Sequence, residues 1–342
     1  MSKGKVMLAM SGGVDSSVSV VLLQEAGYEV EGITMCLGDF SVVEKAAESA
    51  DHFGIKHHWV DLTEEFDRYV KSYFVEEYKN GRTPNPCVIC NKKVKMGRLF
   101  AHAETIGFDW FATGHYANVV KTGERYAVKK ASYLPKDQSY VLYSLGQEVL
   151  SRLILPLGGL SKDEVRAKGR ELGLAAAGLK DSQDICFIPD GNYRRFLTER
   201  GLENTEGSFV LKDGTVVGRH KGVANYTVGQ RKGLGIAMGY PVFVTAIRPE
   251  TNEVELGLES DLFSDRMLVR DCNYLTVEKL TEPRELDIKI RYKSPAVKGI
   301  VNPLPNGQAE VSFLSPEKAV TPGQSAVFYD GDTVVGGGII VK

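Results

Sequence analysis

Residues 5–10, KVMLAM, form an apolar run without the alternation of a half-exposed strand, and SGGVDSS follows at once, ahead of the helical pattern SVSVVLLQEAG. A strand apolar on both faces has to be covered on both sides, which parallel sheets flanked by helices achieve. The turn is equally restrictive. Gly12 and Gly13 let the backbone aim successive N–H groups at one point, and the helix behind them adds its positive end. Ser11, Ser16 and Ser17 add hydroxyl donors, and Asp15 could hold Mg²⁺ against phosphates. The Gly-Lys-Ser/Thr ending of a Walker loop is missing, so ordinary γ-phosphate hydrolysis is not implied. The plain alternative is a glycine turn with a Ser/Asp helix cap.

Strand and helix patterns keep alternating over residues 1–205, so a doubly wound parallel sheet is expected there. YEVEGITMC and IKHHWVDL read as strands, and VVEKAAESADHFG and EEFDRYVKSYFVEEYKNG as helices. NKKVKMGRLFAHAETIG reads as a helix and FDWFATGHYANVV as one strand. Ser161 and Glu164 form a capping box for a helix ending at Gly173. From residue 206 short β-like runs take over, separated by Asp-Gly, Pro and Gly turns. A small β-rich middle domain to residue 268 and a C-terminal β-barrel over 269–342 are expected. LDIKIRY alternates strictly, with Leu286, Ile288, Ile290 and Tyr292 on one face, and Asp330-Gly331 marks a hairpin.

No apolar run approaches the length of a membrane span, and the N-terminal stretch reads as a buried strand, not a secretory signal. Five cysteines, an odd number in 342 residues, argue against a disulfide framework and for a reducing cytoplasm. A net charge of −2 gives no general attraction to nucleic acid. Basic residues are nevertheless concentrated locally, at Lys92, Lys93, Lys95 and Arg98, at Arg194 and Arg195, at Arg219 and Lys221, at Arg231 and Lys232, and at Lys289, Arg291, Lys293 and Lys298. Such clusters are ordinarily solvated surface; on a β-barrel they also suit backbone tracking of folded RNA.

The cysteines divide into two kinds. Cys36 and Cys272 read as small buried hydrophobes. Cys87 and Cys90 stand in NPCVIC, stiffened by Pro84 and Pro86. Cys90 is expected at a helix start with Lys92, Lys93 and Lys95 beyond it, where helix end and cations favour thiolate. Cys186 lies in DSQDICFIP, where acidic neighbours oppose thiolate.

SGGVDSS is similar to the phosphate loop of the N-type ATP pyrophosphatases, an adenine nucleotide α-hydrolase-like group that splits ATP into AMP and pyrophosphate. Within that group GRTPNPCVICNKKVK, ATGHYA, PKDQSYVLY, KDSQDICFIP, GQRKGLGI, IRYKSPA and TPGQSAVFYDGD resemble the tRNA 2-thiouridylases from end to end. The resemblance implies adenylation of the C2 oxygen of the wobble uridine of a tRNA, followed by its replacement with sulfur. It implies ATP contacts at Ala9, Met10, Ser11, Gly12, Gly13, Val14, Asp15, Ser16, Ser17, Met35 and Gly114. Contacts with tRNA or the flipped base fall on Asn85, Pro86, Cys87, His115, Lys136, Asp137, Gln138, Arg291, Tyr292 and Gln324. It makes Cys90 the nucleophile, Cys186 the persulfide carrier and Asp15 part of the adenylation machinery. The sulfur itself would come from a persulfide relay protein, a cysteine desulfurase or sulfide.

One position departs from the familiar pattern, which has Asp where this chain has Cys87. Cys87, Cys90 and Cys186 are therefore also a three-thiolate set of the kind that holds a [4Fe–4S] cluster in related tRNA thiolases. Zinc with three cysteines and a water has no obvious task here. Cluster and persulfide chemistry both remain open. So do another ATP pyrophosphatase, such as a lysidine or amide-forming synthetase, and an RNA-binding protein with a degenerate nucleotide loop. The former would need neither NPCVIC nor a distant DICF, and the intact Ser11, Gly12, Gly13, Asp15 and Ser16 speak against the latter.

Overall fold

A computed structural model describes residues 2–178 and 185–341. The KDSQD part of the KDSQDICFIP stretch falls outside the described residues, whereas Cys186 is among them. The parallel sheet expected for the first part is present. It is built from β1 (Lys5–Ala9), β2 (Glu29–Cys36), β3 (His57–Asp61), β4 (Trp110–Thr113) and a short strand Leu153–Ile154, in the order β3-β2-β1-β4-Leu153–Ile154. Register runs Lys5↔Glu29 to Ala9↔Ile33 on one side and Val6↔Trp110 to Ala9↔Thr113 on the other. Val6, Met7 and Leu8 are fully buried, as the apolar run requires. Strand order reverses direction between β1 and β4, so the crevice beyond their carboxyl ends is the natural ligand site.

FDWFATGHYANVV is not one strand. It breaks at Gly114-His115-Tyr116 into β4 and β5 (Ala117–Thr122), which lie in different sheets. Gly114 causes the break: a Cβ there would lie 3.3 Å from the carbonyl carbon of Asp15, so the chain turns against the SGGVDSS loop. β5 pairs with β6 (Arg125–Lys130), and Lys129 bridges to Thr333 of the C-terminal sheet. The helix bearing the cysteines starts earlier than expected. It runs over residues 86–106 with Asn85 as N-cap and Pro86 in its first turn, and widens into π-type turns over Cys90–Leu99.

The β-rich middle consists of β7 (Gly207–Leu211), β8 (Val216–His220), β9 (Phe243–Arg248) and β10 (Glu253–Gly257), in the order β9-β10-β7-β8. β11 (Phe263–Tyr274), β12 (Arg284–Lys289), β13 (Val297–Leu304), β14 (Gln308–Lys318), β15 (Ser325–Asp330) and β16 (Thr333–Ile340) follow. Pairing of β11 with both β14 and β16 closes these six into a barrel, which removes the exposed edges. Its core includes Met267, Val269, Leu286, Ile288, Ile290, Val301, Val311 and Phe328. Tyr292, expected on the face of Leu286 and Ile288, instead lies beyond the end of β12 and is exposed, its ring 6.0 Å from that of Tyr140. Among the described residues no helix is long and apolar enough to cross a membrane.

Candidate active site

The SGGVDSS loop leaves β1 at the crevice and enters the helix Val14–Glu25. Gly12 has φ +69°, and a Cβ there would lie 2.7 Å from the Lys45 Cβ, so glycine is required twice over. No side chain caps the helix at Gly13. The Ser16 and Ser17 hydroxyls both donate to the Gly13 carbonyl at 3.0 Å, and Ser11 N–H donates to Ser16 Oγ at 3.3 Å. The loop is thus fixed by its own serines, with its helix end presented to an anion. Ala9 ends β1 and Met10 follows it, Val14 is buried in the first turn of the helix, and Met35 lies half-buried near the end of the neighbouring β2.

Asp15 is not an open metal ligand. Both its oxygens accept from Lys162 Nζ at 2.8 Å, and Oδ1 also accepts from the Tyr116 hydroxyl at 2.7 Å. Sequence reasoning did not identify Lys162 or Tyr116. A signal for Lys162 existed: a lysine directly after the Ser161 cap opposes the positive end of the helix and is stabilised there by an anionic partner. Tyr116 N–H donates to Gln138 Oε1 at 2.9 Å, which ties the PKDQSYVLY segment to the loop.

The three thiols are near enough to one another to interact electrostatically: Cys87 with Cys186, and Cys90 with both. Cys87 and Cys186 are accessible, and Cys90 is half-buried. The thiolate expected at Cys90 is corrected by the geometry. The helix begins at Pro86, so Cys90 lies a turn inside it, and burial pushes its thiol up to about 11 despite the Lys95 ammonium. Partial loss of water around the sulfur raises Cys87 and Cys186 as well, although both residues keep an accessible side. Lys95 is the cation that opposes the rise at all three. Among the described residues no group of three His, Cys, Asp or Glu side chains is arranged to hold a metal ion.

Because alkylation needs thiolate, a folded pKa above 9 holds Cys90 as thiol through neutral pH and delays its reaction as pH rises. Modification of Cys90 by iodoacetamide, followed by peptide mass spectrometry, should therefore keep climbing toward about pH 11. Lys95→Gln should slow it at pH 8 by roughly threefold. A rate that levels near pH 9 or below would refute this environment.

The remaining expected contacts separate into surface and support. His115 is buried with Nδ1 2.8 Å from Thr113 Oγ1, and burial, then Lys95, holds its pKa well below 6.5, so it is neutral at pH 7. Asp137 turns inward: Oδ1 accepts from Ala131 N–H at 2.9 Å and Oδ2 from Ser139 Oγ at 2.7 Å, so it supports the turn carrying half-buried Lys136 and Gln138. Arg291 is half-buried; its guanidinium donates to the Ala319 carbonyl and to Thr321 Oγ1, and burial lowers its pKa, so it also braces the barrel. Lys293 and Tyr292 are exposed beside it. Asn85 is half-buried beside Tyr140, Pro86 is buried, and Gln324 donates to the Thr83 and Pro84 carbonyls at 2.9 and 3.2 Å.

Three family models cover the chain. A tRNA methyl transferase HUP domain matches residues 4–190, a tRNA methyl transferase PRC-barrel domain 194–257 and an aminomethyltransferase β-barrel domain 264–340. The tRNA-specific 2-thiouridylase MnmA of Acetivibrio thermocellus is 44% identical over 358 residues, spanning 99% of this chain and 100% of that protein. Those of Lachnoclostridium phytofermentans and Clostridium perfringens are 45% and 44% identical over 356 and 355 residues, each spanning 99% of both chains. A solved 4-thiouridine synthetase–RNA complex with bound ATP is 20% identical, covers 58% of this chain and 50% of its own, and has a TM-score of 0.37. The phosphate loop, the cysteine helix and the barrel are thus all included in an alignment that runs from end to end at this identity, and the chain belongs to the tRNA-specific 2-thiouridylase family.

Proposed function

We propose that the chain is an ATP-dependent tRNA 2-thiouridylase acting on a wobble uridine. The observation that carries this reading is the continuity of one site. Asp15 abuts Gly114, Gly114 precedes neutral His115, and His115 and the three thiols all sense Lys95. Adenylation and sulfur transfer need such a shared crevice, because the activated base must meet sulfur before water does.

In the proposed reaction the C2 oxygen of the uridine attacks the α-phosphorus of ATP and pyrophosphate leaves into the SGGVDSS cradle, where amide N–H groups meet the developing charge. The outer sulfur of a Cys186 persulfide attacks C2 and AMP departs with the original oxygen. The Cys90 thiolate then attacks Cys186 Sγ, the S–S bond to the base breaks, and 2-thiouridine is released. The Cys90–Cys186 disulfide left behind is reduced by an external thiol, after which a persulfide relay protein or a cysteine desulfurase passes a sulfane sulfur to Cys186; sulfide would serve as donor only by attacking that disulfide directly, forming the Cys186 persulfide as the Cys90 thiolate leaves. Mg²⁺ entering with ATP would neutralise phosphate charge; no residue of the chain is assigned to hold it. A [4Fe–4S] cluster on Cys87, Cys90 and Cys186 is the second reading, favoured only by the third thiol at Cys87.

The decisive assay supplies tRNA, ATP and a persulfide donor, and follows pyrophosphate and 2-thiouridine together. Pyrophosphate release that does not depend on tRNA, or absence of thiolation, rejects the proposal. Iron and acid-labile sulfide are measured in the same anaerobic protein; activity of iron-free protein rejects the cluster, and activity only after reconstitution rejects the persulfide route. The proposed organisation is a catalytic unit over residues 1–205, a β-rich unit and a tRNA-binding barrel. The boundary expected at 268 is moved to just before Phe263, because β11 runs through it. A cytoplasmic location is part of the same proposal.

The barrel's RNA contact is assigned to exposed Lys293. Lys293→Ala should reduce the slope of log affinity against log salt by about 1 if it meets one phosphate. Arg291→Ala should lower thermal stability and leave that slope in place. Equal slopes for parent and Lys293→Ala would remove this contact.

A further inference from the structure

We propose that the barrel and the middle unit set the position of the catalytic cysteines by clamping residues 81–84, with Gln324 as the positioning residue. These four residues lie outside any strand and immediately precede the cysteine helix. Their anchors come from every side. From the barrel, Pro322 O accepts from Thr83 N–H at 2.8 Å, and Gln324 Nε2 donates to the Thr83 and Pro84 carbonyls. Gly323, at φ +90°, brings its backbone so close that a Cβ would lie 2.9 Å from Arg82 Cβ and Thr83 N. From the middle unit, Thr227 Oγ1 lies 3.2 Å from Thr83 Oγ1, and Ile247 and Pro249 crowd Gly81, where a Cβ would meet them at 2.8 Å. Arg82 forks onto buried Glu77 at 2.8 and 2.7 Å, and Arg270 of β11 approaches the same carboxylate at 3.6 Å.

Two features make this a lever for the thiols. Pro84 and Pro86 have no N–H to offer and restrict the chain, so a shift at Thr83 is not absorbed before Cys87. Asn85, between them, lies beside Tyr140, whose hydroxyl donates to Ser325 O at 2.8 Å, next to Gln324 on the same barrel segment. The loop leading to Cys87 and Cys90 is therefore held by groups more than a hundred residues away. Gln324, which resemblance assigns to tRNA, spends its amide N–H groups on this loop. RNA seated on the barrel would act on the sulfur chemistry through that contact.

Which step slows rests on the thiouridylase reading; the clamp itself does not. Gln324→Glu keeps the length of the side chain, removes the donor and sets a carboxylate against two carbonyls. Arg82→Gln releases an independent anchor. In each variant the alkylation rates of Cys87 and Cys90 in free protein should change by at least threefold relative to Cys272. Thiolation should fall at least tenfold more than pyrophosphate formation, and tRNA affinity should stay within about twofold. Should Gln324→Glu fail to fold, Arg82→Gln carries the same readings. Unaltered alkylation overturns the clamp. So does weaker tRNA binding with equal loss in both half-reactions, which would make Gln324 a direct RNA contact. Altered alkylation in a parent protein that does not thiolate tRNA would keep the clamp and reject the thiouridylase reading.

Discussion

Cys90→Ser and Cys186→Ser should each cut 2-thiouridine formation by at least about a thousandfold, with tRNA-dependent pyrophosphate release continuing, because the two thiols act after adenylation as one unit. The double variant should be no worse than either single one. Serine keeps the volume of the site but cannot carry a persulfide or accept the S–S bond in the last step. The two variants separate what they trap. Cys90→Ser should leave tRNA joined to Cys186 through sulfur, a species released by dithiothreitol, whereas Cys186→Ser should accumulate only adenylated or hydrolysed product. Cys87→Asp supplies the contrast. If Cys87 lines the base pocket, this variant should stay active without iron; if it is a cluster ligand, thiolation should disappear together with iron and sulfide. Thiolation that survives loss of Cys90 or Cys186 would overturn both versions.

What could be read in advance follows from how local each signal is. KVMLAM followed by SGGVDSS is self-contained: burial on both faces of the strand, the positive φ of Gly12 and the helix behind it all arise within one short segment. The strand and hairpin character of the C-terminal part is similarly local, in the alternation of LDIKIRY and the Asp330-Gly331 turn, although the strand stops short of Tyr292 and closure depends on the distant pairing of β11 with β14 and β16. Long-range effects were not legible. Nothing near Cys90 announces that its thiol is enclosed, and neighbouring lysines in sequence suggest the opposite. The bracing role of Arg291 was equally hidden, since its partners Ala319 and Thr321 come from a different turn of the barrel. The β4–β5 break depends on Gly114 meeting Asp15 about a hundred residues away, and the widened turns of the cysteine helix have no marker in NKKVKMGRL.

The Lys162–Asp15 pair yields the second large effect. Lys162 is almost wholly enclosed and Asp15 is about one-third exposed, with side-chain exposures of 8% and 33%. Breaking a fully buried pair from one side costs about 3–5 kcal/mol; solvent at Asp15 reduces that here, so Lys162→Gln should fold with a lowered melting temperature. Its effect on chemistry should be larger than its effect on stability. With the ammonium gone, an unneutralised carboxylate faces the site where pyrophosphate must accumulate charge. The loss expected in AMP and pyrophosphate formation is on the order of a hundredfold, the scale of removing one group that meets transition-state charge. Asp15→Asn should also slow adenylation while leaving tRNA affinity near the parent value, since neither residue is on the barrel. The pair predicts non-additivity: Asp15→Asn combined with Lys162→Gln should be less impaired than the product of the single losses, because the double variant leaves neither charge without its partner. Strictly multiplicative losses, or full pyrophosphate formation by Lys162→Gln, would show that the two charges act separately and that the phosphate loop does not depend on this contact.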